Sequence, residues 1–182
     1  VNSMNIPAVK VLEAVGVNEA AAWARELGIT TAPKTSDLSL ALGSACVYMW
    51  DLVRVYAMFN RLGERVKATF IRRVVDRDGN ILEDHSAPTD PWIGLRSRLA
   101  SGYATLFEEH ERVIDPASAY VVTDLLRQVA SRGTAASAQR LGREVAGKTG
   151  TTNDAFDTWF MGFSPELVAG VWIGYDTAQN RD

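Results

Sequence analysis

A lysine, two threonines and a glycine in one short run could together bind a carboxylate group. The run is Lys148-Thr149-Gly150-Thr151, and Thr152 extends it. On the edge strand of a sheet, Gly150 would remove a side chain and let a substrate backbone approach closely. Alternation along the strand would place the Thr149 and Thr151 hydroxyls on one face, and we expect the Lys148 ammonium to join them there as a carboxylate receptor. The free Thr151 amide would be available to an oxyanion, so the run predicts acyl transfer on a peptide that ends in a carboxylate.

The same lysine also completes a pattern typical of nucleotide-binding phosphate loops. The segment from Gly142 to Thr149 matches that pattern letter for letter. A phosphate loop requires a strand before its first glycine and a helix that begins at its lysine, because backbone amides and the helix dipole bind the anion. Here the residues before Gly142 favour a helix, and residues 144–146 favour a strand. A P-loop nucleotide-binding protein therefore stays an alternative that the order of elements disfavours.

Apolar residues at helical spacing predict the helices that position these groups. We expect helices over residues 6–15, 18–27, 50–62 and 116–130, and a short alanine-rich helix over 134–141. Ser3 or Asn5 could cap the first of them. Asp78-Gly79 between apolar runs predicts a hairpin over residues 70–82. Residues 30–46 are expected to be loop and short turns, and residues 85–115 loop with a short helix near 98–109.

Three strand candidates close the chain, at residues 143–149, 157–163 and 167–175. The last of them is almost continuously apolar and rich in β-branched residues. Because the links between the three are short, they predict an antiparallel meander; parallel strands need long crossovers. Together with the helices, this predicts an α+β fold, an antiparallel sheet flanked by helices. An exposed edge of that sheet could pair with a second copy of the chain.

These motifs resemble those shared by penicillin-binding proteins and serine β-lactamases. Lys148-Thr149-Gly150 resembles one family motif, and Ser3-Met4-Asn5, the only Ser-x-Asn of the chain, resembles another. Further segments resemble, in order, the class A (bifunctional) penicillin-binding proteins; they are residues 39–44, 132–135, 147–153, 157–165 and 170–176. The resemblance implies a β-lactamase/transpeptidase-like fold that is incomplete at its N-terminus. Residues 1–182 would be the C-terminal portion of a single transpeptidase domain.

The resemblance also implies a role for each catalytic candidate. Ser3 would relay a proton between a lysine outside the chain, Lys148 and the leaving group. Asn5 would hydrogen-bond that other lysine and the amide of the substrate. Lys148 would keep the site positive and orient Ser3. No serine of the chain is followed by lysine at the third position, so the nucleophilic Ser-x-x-Lys is expected upstream of Val1.

The substrate-binding residues implied by the resemblance are Thr149, Gly150, Thr151 and Thr152. Thr149 and Thr151 would bind the terminal carboxylate of the substrate, and the Thr151 amide would form half of an oxyanion hole. The other half would come from the amide of the absent nucleophile.

The function implied by the resemblance is that of a peptidoglycan D,D-transpeptidase. Such an enzyme cross-links D-Ala-D-Ala stem peptides through an acyl-serine intermediate and is acylated by β-lactam antibiotics, so stem peptides and β-lactams are the expected partners. The expected location is the extracytoplasmic, periplasmic face of the bacterial inner membrane, with the anchor outside this chain. Alone, the chain is expected to be inactive. A D,D-carboxypeptidase or β-lactamase of the same fold, and a non-catalytic binding module, remain alternatives.

Composition argues against several other classes of protein. With 47% hydrophobic and 23% charged residues the chain is globular, and its net charge of −3 gives no reason to expect a nucleic-acid partner. Cys46 is the only cysteine, so no intrachain disulfide can form, and its apolar surroundings predict that it is buried. His85 and His110 have no further ligands nearby in the sequence. We therefore expect neither a metal site nor a cofactor.

Overall fold

The computed structural model of the chain describes residues 2–31, 37–84, 111–152 and 157–175. The chain divides into two compact units, one made of residues 1–66 and 112–182 and the other of residues 67–111. The short helix predicted near residues 98–109 and both histidines lie outside the described residues. Every residue of the predicted site lies in the first unit.

Within the described residues, four α-helices form where apolar residues recur at helical spacing. They are α1 (Asn5–Val15), α2 (Val17–Glu26), α3 (Met49–Asn60) and α4 (Pro116–Arg132). Gly16 separates the first two with a φ of 96°, which glycine adopts without strain. Asp115 caps α4, since its carboxylate accepts a hydrogen bond from the Ser118 amide at 2.9 Å. The helix predicted over 134–141 is a 3-10 helix, Ala136–Leu141, and another, Leu38–Leu42, lies within the predicted loop.

The sheet of the first unit is an antiparallel meander, as predicted. Its strands, in the order in which they pair, are β3 (Ala146–Thr151), β4 (Asp157–Phe163) and β5 (Val168–Gly174). Within the described part of the chain, β3 and β5 each pair with β4 alone, so β3 is an edge strand. Pairing through the exposed edge with a second copy of the chain stays a prediction.

Helices cover both faces of this sheet. Phe160 and Met161 are consecutive in β4 and therefore point to opposite faces. On one face, the Phe160 ring packs against a buried cluster that includes Val129 and Ala130 of α4. On the other face, Met161 lies so close to Gly170 that a β-carbon there would meet its sulfur at 2.9 Å, and would also meet Val53 of α3 at 3.0 Å. The sheet is thus held between α4 and α3, which confirms a mixed α+β fold.

The second unit contains the predicted hairpin. Its strands are β1 (Arg73–Val75) and β2 (Ile81–Asp84), which pair antiparallel. The Asp76 carboxylate closes the turn by accepting hydrogen bonds from the Asp78 and Asn80 amides, each at 2.8 Å. Hydrogen bonds from Asn80 lower the pKa of the Asp76 carboxyl.

Candidate active site

The two motifs singled out in the sequence meet in space. The Lys148 Nζ lies 2.7 Å from the Ser3 Oγ, although the two residues are 145 positions apart in the chain. The same ammonium donates to the Thr149 carbonyl oxygen at 2.5 Å. Partial burial lowers the pKa of the Lys148 ammonium, because a low-dielectric environment disfavours the charged form.

A strained backbone presents Ser3 to the lysine. Ser3 has a φ of 48°, in the left-handed region that few residues other than glycine adopt. Such strain is often found at functional sites. The alternative that Ser3 or Asn5 caps α1 is wrong, because the N-cap residue is Met4 and no side chain caps this helix. Asn5 is the first residue of α1 and is exposed.

The Lys148 side chain leaves the strand on the face opposite to Thr149 and Thr151. Consecutive residues of a strand point to opposite faces, and β3 pairs regularly with β4 from Ala146 to Thr151. The expectation that the ammonium and both hydroxyls share one face is therefore wrong. Instead, the ammonium turns back towards its own strand, where it contacts the Thr149 carbonyl and Ser3.

The end of β3 leaves one backbone amide on the open edge. The Thr152 amide donates to the Asp157 carbonyl of β4 at 3.0 Å. Successive amides of a strand point to opposite sides, so the Thr151 amide points away from β4. At Gly150, an added β-carbon would make only ordinary contact with the Trp159 Cβ, at 3.5 Å. Packing among the described residues therefore does not require glycine at this position.

The Thr152 hydroxyl differs from those of Thr149 and Thr151 because it bonds to the first residue of β4. Its Oγ1 accepts a hydrogen bond from the Asp157 amide at 2.9 Å. The Asp157 carboxylate in turn accepts from the Trp172 Nε1 at 2.8 Å, and the Trp172 ring centroid lies 6.4 Å from that of Trp159. These contacts give Asp157 and both tryptophans a structural role.

Thr134 belongs to the site and was not among the predicted site residues. Its Oγ1 accepts a hydrogen bond from the Thr149 Oγ1 at 2.8 Å. Thr134 lies in the loop between α4 and the following 3-10 helix. It falls within residues 132–135, one of the segments on which the family resemblance rests. That resemblance could have identified Thr134 from the sequence.

The phosphate-loop alternative is wrong. Gly142 ends a 3-10 helix and does not follow a strand. Lys148 and Thr149 lie inside β3 and do not begin a helix. The helix N-terminus that would bind a phosphate is therefore missing from this segment.

Several further properties concern only the part of the chain that the structure describes. No group of three or more histidine, cysteine, aspartate or glutamate residues there could hold a metal ion. No helix there is long and apolar enough to cross a membrane. Cys46 is exposed, so the prediction that it is buried is wrong.

The chain is similar to proteins of known type along its whole length. A family model described as "Penicillin binding protein transpeptidase domain" matches residues 1–182. Penicillin-binding protein 1A of Rickettsia bellii is 35% identical over 177 residues, which cover 96% of this chain and 22% of that protein. The chain thus spans only about a fifth of the length of this curated relative.

Solved structures resemble the chain as well. Penicillin-binding protein 1A from Haemophilus influenzae matches with a TM-score of 0.79 and 25% identity, over 96% of this chain and 29% of that one. The PonA1 protein of Mycobacterium tuberculosis, solved in complex with penicillin V, matches with a TM-score of 0.58 and 24% identity, over 87% of this chain and 41% of that one. At that identity, the second match concerns the fold alone.

Proposed function

The chain belongs to the penicillin-binding protein transpeptidase family, and from this premise we propose that it forms part of a peptidoglycan D,D-transpeptidase. The proposed reaction cross-links D-Ala-D-Ala stem peptides through an acyl-serine intermediate, and β-lactams acylate the same serine. That serine and its lysine would come from a part of the protein outside this chain. The observation that supports the proposal most directly is the 2.7 Å contact between the Lys148 ammonium and the Ser3 hydroxyl.

This contact suits proton transfer to a leaving group. A serine hydroxyl has one proton to donate and two lone pairs to accept with. The Lys148 ammonium donates to one lone pair of Ser3, so the serine proton is free to move to the departing amine of the substrate. Lys148 can then replace that proton, and its lowered pKa makes the transfer easier.

The carboxylate of the substrate would lie along the edge of β3. The hydroxyls of Thr149 and Thr151 share one face of this strand. The positive charge of Lys148 adds long-range attraction for an anion, although its side chain leaves from the other face. The Thr151 amide points to the open edge, where it could donate to the oxyanion of a tetrahedral intermediate.

The location proposed for the whole protein follows from its relatives. The curated relative from Rickettsia bellii is named penicillin-binding protein 1A, and the substrate of such an enzyme lies outside the cytoplasm. We therefore place this chain on the periplasmic face of the inner membrane. β-Lactams are proposed as ligands because the chain belongs to the penicillin-binding protein transpeptidase family.

The test uses a fluorescent penicillin and a D-Ala-D-Ala peptide. The longer protein, which would add the proposed serine and lysine to this chain, should be labelled covalently. Residues 1–182 alone should not be labelled. With the peptide and an amino acceptor, the longer protein should form the cross-linked amide. Hydrolysis without cross-linking would favour a D,D-carboxypeptidase or β-lactamase, and labelling of the isolated chain would show that the nucleophile lies within it.

A further inference from the structure

In the hydrogen bond between Thr149 and Thr134, the Thr149 hydroxyl is not oriented to bind a carboxylate. Thr149 has one hydroxyl proton, and it donates that proton to the Thr134 Oγ1 at 2.8 Å. Its oxygen therefore presents only lone pairs to the site. Lone pairs repel a carboxylate, so Thr149 must redirect its proton before it can bind one.

We propose that Thr134 is a positioning residue that lets Thr149 make this change. When a carboxylate enters the site, the hydrogen bond reverses: Thr134 donates to the Thr149 oxygen, and Thr149 donates to the carboxylate. No bond to carbon changes, and each hydroxyl keeps its own proton. The inference rests on the proposed function, and it extends the carboxylate receptor to a residue of a different element.

The reversed arrangement binds an anion better than Thr149 would alone. A hydroxyl that accepts a hydrogen bond becomes a stronger donor, because neighbouring hydrogen bonds polarise one another. A hydrogen bond to a charged acceptor is also stronger than one between two neutral groups. Thr134 thus keeps the Thr149 oxygen satisfied while the Thr149 proton is committed to the ligand.

Packing holds the two backbone segments that carry these hydroxyls next to each other. Ala135, the residue after Thr134, is only 1% exposed and belongs to the cluster formed by α4 and the Phe160 ring. Phe160 is the cross-strand partner of Thr149. One aromatic ring therefore contacts the cluster at the end of α4 and stands beside Thr149 on the sheet. Only the two hydroxyl protons then have to be redirected when the ligand arrives, which reduces the entropic cost of binding.

A purely structural role for this hydrogen bond would have a different signature. Thr134 is exposed and Thr149 is half-buried, and water can replace either partner. An accessible hydrogen bond between two neutral hydroxyls contributes little to folding. Loss of the Thr134 hydroxyl should therefore change carboxylate binding much more than the melting temperature.

The experiment compares two thioesters in the longer protein. One is an N-acyl-D-alanyl thioester of thioglycolic acid, which presents a carboxylate, and the other is its methyl ester, which does not. Release of thiol gives kcat/KM for each. Thr134→Val should lower kcat/KM for the acid by about three- to tenfold, the usual effect of losing a hydrogen bond between neutral groups, and change that of the ester less than about twofold. Thr134→Ser should restore the wild-type preference for the acid.

The outcomes separate this inference from the proposed function. Equal losses on both thioesters, no loss on the acid, or failure of Thr134→Ser to restore the preference would overturn the role of Thr134. A wild-type protein that releases thiol from neither thioester would overturn the proposed function and this inference with it. Thr134→Ala, with melting temperatures for all variants, repeats the comparison if the valine variant folds poorly.

Discussion

The two ends of the β3–β4–β5 sheet differ in whether their polar groups have hydrogen-bond partners within the protein. At the turn between β4 and β5, Phe163 and Ser164 are 5% and 6% exposed, and the Asn60 side chain donates to the Ser164 carbonyl at 3.1 Å. At the other end, where β3 leads into β4, Thr151 is exposed and its amide points to the open edge. The first end pairs its polar groups with protein atoms, whereas the second pairs Thr152 and Asp157 with each other and leaves the Thr151 amide available to a ligand.

This contrast distinguishes polar groups that stabilise the fold from polar groups that can bind a ligand. Buried polar groups with partners hold a fold together, because leaving them unpaired costs free energy. Polar groups with unused hydrogen-bonding capacity contribute little to the fold but can bind a substrate. Variants at the closed end should therefore lower the free energy of unfolding, and variants at the open end should lower the rate of acylation. Three predictions test this division.

The largest effect is expected at Lys148. In the longer protein, Lys148→Met should slow acylation by a fluorescent penicillin about 10²-fold or more, since proton transfer by a positioned group typically contributes 10²- to 10⁴-fold. Lys148→Arg is the matched control, because arginine keeps the charge but does not give up its proton. If arginine restores the wild-type rate, Lys148 acts through its charge alone, and its role in proton transfer is refuted.

Two glycines of β3 provide a sharper comparison of the two ends. A β-carbon at Gly147 would lie 2.9 Å from both the Met161 carbonyl oxygen and the Phe160 ring, whereas one at Gly150 would meet, among the described residues, only the Trp159 Cβ, at 3.5 Å. Gly147→Ala should therefore lower the free energy of unfolding by about 1–3 kcal/mol, the usual cost of overpacking. Gly150→Ala should leave it nearly unchanged and slow acylation about ten- to hundredfold, because a substrate strand would be displaced.

Denaturant unfolding and penicillin acylation, measured on both variants, check this pair of predictions. The division between the two ends requires each variant to affect mainly one quantity. If Gly150→Ala destabilises the protein as much as Gly147→Ala does, the open end is also structural. If Gly150→Ala is acylated at the wild-type rate, the substrate does not approach β3 at this position.

Local patterns predicted the elements, and the family resemblance predicted the site. Helical spacing gave α1 to α4, and short links gave the antiparallel order of β3, β4 and β5. No local pattern indicates that Ser3 meets Lys148, because that contact joins residues 145 positions apart. It was expected from the motifs alone. The resemblance to class A penicillin-binding proteins is confirmed by the family match and by the relatives named penicillin-binding protein 1A.

Of the two errors at the site, one concerns alternation within a strand and the other a contact that depends on tertiary packing. Lys148 was expected on the face of Thr149, but alternation within β3 places it opposite, and only the flexible side chain brings the ammonium back to the strand. Thr134 was missed because its approach to Thr149 depends on how the end of α4 packs against the sheet. Hydrophobic spacing in the sequence indicates which face of a helix is buried, but not which loop residue it brings to a strand.

The smallest expected effect is on stability and comes from Lys148. Its folded-state pKa lies below the ordinary value of 10.5 because partial burial disfavours the charge. Below that folded-state pKa the lysine is charged in both states, so its desolvation destabilises the fold. Between the folded-state pKa and 10.5 the unfolded chain binds more protons, so the free energy of unfolding rises with pH.

Lys148→Met should thus stabilise the protein at pH 7, by less than about 1 kcal/mol because water screens the partly exposed ammonium, and the gain should vanish above pH 10.5. Denaturant unfolding of both proteins at several pH values measures this difference. A variant less stable than wild type at pH 7 would mean that the contacts with Ser3 and the Thr149 carbonyl outweigh the desolvation of the charge, and that the open end also stabilises the fold.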